Sequence, residues 1–161
     1  MNSARAVSIL LFPMAVAAFV ACGTKAAKPI ARSLSQGIYT ETQAKRGSAI
    51  YDVHCVECHA EDLSGDTPYN PSPQLAGRAF LLRWDKKNMD ELFTLVRTQM
   101  PKDKAGTLKP EEYADVLAFV LQSNRFPAAD TELTTDLDVL HQVRFAMAEA
   151  PHADGTTNTS Q

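Results

Sequence analysis

The sequence predicts a small all-α protein of about four to five helices, and three observations lead there. Apolar residues recur at three- and four-residue spacings in the segments near 40–53, 89–99 and 110–123. No segment between Gly37 and Phe126 sustains the period-two alternation of strands, and Gly and Pro gather between the helical stretches. At 161 residues the chain suffices for one domain with appendages. With 45% hydrophobic and 22% charged residues, it is not collagen-like, coiled-coil or wholly disordered. A formal charge of -3 excludes little, but it gives no support to nucleic-acid binding, which usually needs a concentrated basic face, and no nucleic-acid partner is expected.

Residues 1–21 read as a signal peptide: Arg5 precedes an apolar run from Ala6 to Val20, and no charge follows before Lys25. The run is short for a membrane span, which needs about 20 apolar residues. Its end, Phe19-Val20-Ala21-Cys22-Gly23, resembles the lipobox of bacterial lipoproteins, with Phe19 where Leu is usual; Cys22 is the candidate lipidation site. Ordinary cleavage nearby is the alternative. Residues 22–36 read as a flexible tether, and 37–126 as the folded core.

The first core helix is expected from about Thr40 to Val53, with Gly47, Ile50 and Tyr51 on one face. Ser64 to Gly77 holds Gly65, Pro68, Pro71, Pro73 and Gly77, a density that predicts an extended wrapping segment. A short helical turn carries Phe80 to Trp84. Asn88 and Glu91 form a capping box for a helix through Met89, Leu92, Phe93 and Val96 that stops near Gln99, before Pro101. Pro110 opens the last core helix, which runs to about Ser123 on a stripe of Tyr113, Val116, Leu117 and Val120. In the extension, 127–161, one amphipathic helix is expected from Thr135 to Glu149, and Pro151 to Gln161 reads as a disordered tail.

Cys55-Val56-Glu57-Cys58-His59 is the haem attachment pattern C-x-x-C-H. Two thiols three residues apart on helical backbone reach one edge of a porphyrin and add to its vinyl groups, while the adjacent imidazole binds iron. A redox dithiol or half of a zinc site uses the same C-x-x-C. The sequence holds no second C-x-x-C, His54, His141 and His152 have no finger-like spacing, and no strand–helix–strand context surrounds the cysteines. The three cysteines divide into this pair and Cys22. A carrier iron takes a polarisable sixth ligand, for which Met100, just past a helix end and before Pro101, is the candidate. Met89 reads better as core, and Met147 lies in the extension.

Gly47 and Tyr51, the C-x-x-C-H motif, Pro73-Gln74-Leu75-Ala76-Gly77, Met100-Pro101 and Tyr113 to Phe119 follow in an order that resembles a class I c-type cytochrome over about Gly37 to Phe126. The resemblance implies the class I cytochrome c fold wrapped around one covalent haem c, with the first and last core helices crossing at Gly47 and Phe119. It also implies that the Pro73 carbonyl holds the His59 ring and that Leu75 packs on the haem. Pro73 and Gly77 merely shaping a turn is the alternative. Ala60 departs from the pattern, since glycine commonly follows the histidine. Trp84 has two open readings, a hydrogen bond to a haem propionate or core packing beside the ring, and Arg83 reads as solvated.

The implied role is that of an exported carrier of single electrons rather than an enzyme, located in the periplasm or cell envelope. Phe80 to Trp84, Glu91-Leu92-Phe93, Met100-Pro101 and Asn124-Arg125-Phe126-Pro127 also look like cytochromes that accompany, or are fused to, PQQ-dependent dehydrogenases, which suggests a dehydrogenase donor and an oxidase or another cytochrome as acceptor. Lys102, Lys104 and Lys109, with Lys86 and Lys87, suggest a basic docking rim, and a solvated loop is the plainer reading. Two further classes stay open: a haem subunit of a larger enzyme using the extension as an interface, and a gas-binding or catalytic haem with an open iron position.

Overall fold

The computed structural model describes residues 33–68 and 71–146. The expected signal peptide, Cys22, the tether as far as residue 32, Met147 and the tail lie outside the described residues. Among the described residues there are helices and isolated backbone bridges, and no strand. The helices are α1 (Glu41–His54), α2 (Val56–His59), α3 (Arg78–Trp84), α4 (Met89–Gln99), α5 (Pro110–Ser123) and α6 (Leu137–Leu140).

Helix α1 starts where Thr40 accepts the Gln43 N–H on its hydroxyl at 3.1 Å, satisfying one of the free donors at the helix start. Among the described residues it makes the most extensive helix–helix contact, with α5. Gly47 is the point of closest approach: a Cβ there would lie 1.8 Å from the Asp115 carbonyl oxygen. The crossing is therefore at Asp115 and Val116, not at Phe119 as the resemblance implied. Phe119 meets Tyr51 one turn further along, with ring centroids 5.2 Å apart. Beside the crossing, Arg46 donates from Nε and Nη2 to the two Asp115 carboxylate oxygens, each at 2.8 Å, and from Nη1 to Glu132 at 2.9 Å. A fork-to-fork pair of this kind orients as well as attracts.

Helices α4 and α5 start by the same device. The Asn88 N–H donates to the Glu91 carboxylate at 3.0 Å, and the Lys109 N–H to the Glu112 carboxylate at 2.7 Å. Pro110 occupies the first turn of α5, where its missing N–H costs no helix bond. Helix α3 begins two residues before the expected Phe80.

The ends of the described chain differ from expectation. Ser33–Gln36, assigned to the tether, are ordered: Leu34–Gln36 form a 3-10 turn capped by Ser33, and Leu34 is fully buried. Of the helix expected over 135–149, the described part to residue 146 forms only α6. Its start is capped by the Asp136 carboxylate, and after a turn at His141 and Gln142 the chain runs extended. There Met89 donates to the Val143 carbonyl at 2.8 Å, Lys86 to the Phe145 carbonyl at 2.9 Å, and Phe145 to the Lys87 carbonyl at 2.9 Å. Val143 and Phe145 are buried with Arg144 exposed between them, a two-residue alternation too short to stand out in the sequence.

Candidate functional site

Helix α1 ends at Cys55, and α2 is a single turn that carries the rest of the motif. The His59 N–H donates to the Cys55 carbonyl at 2.9 Å, so Cys55 and Cys58 lie one turn apart. Both thiols are free and half-buried. Burial, with a smaller contribution from Cys58, pushes the Cys55 thiol up to about 11. That is the reverse of the lowered pKa of a reactive redox dithiol. Among the described residues no group of three or more His, Cys, Asp or Glu could hold a metal ion.

His59 is 8% exposed, and its Nδ1 lies 3.1 Å from the Pro73 carbonyl oxygen. Facing a carbonyl, Nδ1 must carry the proton and donate, which leaves Nε2 as the nitrogen able to bind a metal. Burial lowers the His59 pKa, with the Pro73 bond opposing it, so the ring favours the neutral form that binds metal. The chain reaches Pro73 by folding back on itself. Gly65 donates to the His59 carbonyl at 3.0 Å, and Ser72 donates to the Gly65 carbonyl at 2.9 Å. At φ +69 a Cβ on Gly65 would stand 2.0 Å from the Ser72 carbonyl oxygen, so the fold-back requires glycine.

Three polar residues that sequence reasoning left as helix-face or helix-end residues join this region. The Tyr51 hydroxyl donates to the Ala60 carbonyl at 2.7 Å. Asn124, buried at the end of α5, accepts the Gly77 N–H at 2.9 Å and donates to the Leu75 carbonyl at 2.9 Å. Tyr113, near the start of α5, donates to the Met100 carbonyl at 2.8 Å. Helix α5 therefore holds both the Pro73–Gly77 loop and the Met100 turn. The available signal was the rarity of a buried Asn and of a tyrosine hydroxyl without a partner; the partners themselves are carbonyls, which every residue carries.

Met100 closes α4 and is half-buried. Leu75 is half-buried against the core. Trp84 is buried, with its ring centroid 6.4 Å from Phe80 and 6.2 Å from Phe145, and the Lys87 ammonium 4.9 Å from the ring centroid. This favours the core-packing reading of Trp84. Arg83 is exposed. Lys86 and Lys87 precede α4 while Lys102 and Lys104 follow it, so an 11-residue helix of about 16 Å separates them, and they do not form one rim. A hollow of about 780 Å³ lined by Ile38, Ala128, Leu133, Leu140 and Val143 shares no residue with the site.

Two free thiols one turn apart, beside a buried imidazole whose Nδ1 is already engaged, fit a covalently attached haem with iron on His59 Nε2. Residues 42–120 match the family described as cytochrome C oxidase, cbb3-type, subunit III. The chain is 31% identical over 96 residues to cytochrome c-551 of Bacillus subtilis (strain 168), an alignment that covers 59% of this chain and 79% of that protein. Among solved structures it is similar to a chain of the sulfane dehydrogenase SoxCD from Paracoccus pantotrophus, at 21% identity and a TM-score of 0.47, over 78% of this chain and 66% of that one.

Proposed function

This chain belongs to the class I c-type cytochromes, with one covalently bound haem c, and from that premise we propose that it is an exported carrier of single electrons whose iron is held by His59 and Met100. The bound haem supplies a one-electron iron couple. Cys55 and Cys58 hold it through thioethers. The Pro73 carbonyl keeps the proton on His59 Nδ1 and fixes the plane of the ring, so the ligand does not swing between oxidation states. A thioether from Met100 completes the shell, excludes small ligands and raises the reduction potential relative to a second imidazole. The observation that carries the reading is the His59–Pro73 bond beside two free thiols.

Export rests on the apolar run from Ala6 to Val20, and tethering to a membrane surface on the sequence ending at Cys22. Among the described residues no helix is long and apolar enough to cross a membrane. The periplasm or cell envelope is the compartment this implies, with a dehydrogenase as electron donor and an oxidase or another cytochrome as acceptor.

Mass and optical spectroscopy on protein recovered from the cell envelope test the reading together. Expected are a mature chain beginning at an acylated Cys22 and carrying one haem, a thioether-to-iron optical band in the oxidised protein, a positive midpoint potential, and no carbon monoxide binding when reduced. Met100→Ala should abolish the band and admit carbon monoxide. A colourless chain from a host able to attach haem would overturn the assignment; carbon monoxide binding by the unaltered protein would remove the sixth ligand from it.

A further inference from the structure

We propose that Tyr113 is the positioning residue for the sixth ligand: its hydroxyl holds the Met100 carbonyl and so sets where the thioether is presented. The inference rests on the reading of Met100 as a ligand and adds what keeps it in place.

Met100 stands at a junction. Its N–H is the last to bond back into α4, donating to the Val96 carbonyl at 3.0 Å, and its own backbone is extended. Its carbonyl has left the helix and has no partner there. The loop that follows gives little support. Residues 102–107 are all exposed, and the hydrogen bonds described for that stretch are local: Lys104 N–H to the Pro101 carbonyl at 2.8 Å, Thr107 N–H to the Lys104 carbonyl at 3.3 Å, and the Thr107 hydroxyl to that same carbonyl at 2.8 Å. Tyr113 differs in kind. It is 1% exposed, rooted in α5, and reaches out of the core to the Met100 carbonyl at 2.8 Å. It is thus a tie from the turn to the body of the molecule, formed by a group that cannot move without disturbing the core.

A thioether is a neutral, weak ligand, so its hold on iron depends on how costly it is for the turn to swing away. Removing the phenolic oxygen deletes one hydrogen bond and leaves a partly buried carbonyl unsatisfied, a change that shifts such an equilibrium by about tenfold. Gln43 provides a built-in comparison, since its two hydrogen bonds to the Leu133 backbone hold the 127–146 segment rather than either loop of the site.

The test uses haem-loaded protein with imidazole as an external ligand for the oxidised iron, titrated optically. Tyr113→Phe keeps the ring in place, and the expected result is about tenfold tighter imidazole binding, with the thioether band present before titration. Gln43→Ala, which unhooks Leu133 from α1, should change imidazole affinity less than about twofold at a comparable loss of stability. If that variant does not accumulate, Leu140→Val, which trims a buried side chain of α6, takes its place. Equal tightening in Tyr113→Phe and the comparison variant would mean general loosening and would overturn the proposal, as would a Tyr113→Phe affinity within about twofold of the parent. A parent protein without the thioether band, or a Met100→Ala variant that keeps it, would instead overturn the ligand reading on which the proposal stands.

Discussion

Ala60 occupies the position where the family resemblance implies glycine, and its backbone gives a physical reason for that residue. At φ +63 and ψ 161 it lies in a region that a Cβ disfavours. The conformation is held by a bond at each side of the residue: its N–H donates to the Val56 carbonyl at 2.9 Å, and its carbonyl accepts the Tyr51 hydroxyl at 2.7 Å. These two bonds hold the turn after His59 at the expense of strain. Ala60→Gly should relieve it and raise unfolding stability by about 1 kcal/mol, read as a higher urea midpoint at unchanged slope. A midpoint that stays or falls would show that the strain is absent. This position was visible in the sequence as a departure from the family pattern. Its physical meaning was not, because a dihedral angle has no residue signature when the residue is not glycine.

Among the elements, α1, α4 and α5 were legible nearly to the residue, since each combines an apolar stripe with a capping residue and a stop. The extension was not. It was expected to hold one amphipathic helix over 135–149, and instead its described part, 127–146, closes the core. Gln43 exchanges two hydrogen bonds with the Leu133 backbone, at 3.0 and 2.6 Å. Phe145 is buried with its ring centroid 6.2 Å from Phe80 and from Trp84 and 6.3 Å from Phe126. Truncating a fully buried aromatic removes its burial and leaves a cavity, so Phe145→Ala should cost about 3 kcal/mol or more. Leu137, 41% exposed on α6, should lose under about 1 kcal/mol on the same change. Denaturant unfolding of the two variants checks this; equal, small losses would mean that the extension is an appendage after all.

Across the whole molecule, a formal charge of -3 conceals an uneven distribution. Lys102, Lys104 and Lys109 are exposed in the segment joining α4 to α5, next to Met100, with Asp103 among them. A partner that approaches this edge with an acidic face would be steered by a field that salt screens within about 10 Å at 0.1 M ionic strength. Replacing the three lysines by Gln should therefore slow electron exchange with such a partner several-fold at low salt and flatten its dependence on ionic strength, measured by stopped-flow mixing. Rates indifferent to both salt and substitution would mean that docking uses another face. Lys86 and Lys87 should contribute little to it, since α4 holds them at its far end.

The sequence alone determined the all-helical class, the ends of the main helices and the covalent haem, because each rests on local chemistry: apolar spacing, capping side chains, and two thiols beside an imidazole. Only the tertiary structure decided that the helices cross at Asp115 and Val116, that residues 127–146 complete the core, and that α5 ties down the loops bearing Pro73 and Met100. The last of these depends on hydrogen bonds from Tyr113 to the Met100 carbonyl and from Asn124 to the Leu75 carbonyl. A carbonyl looks the same at every position, so its partner is chosen by where the fold brings the chain.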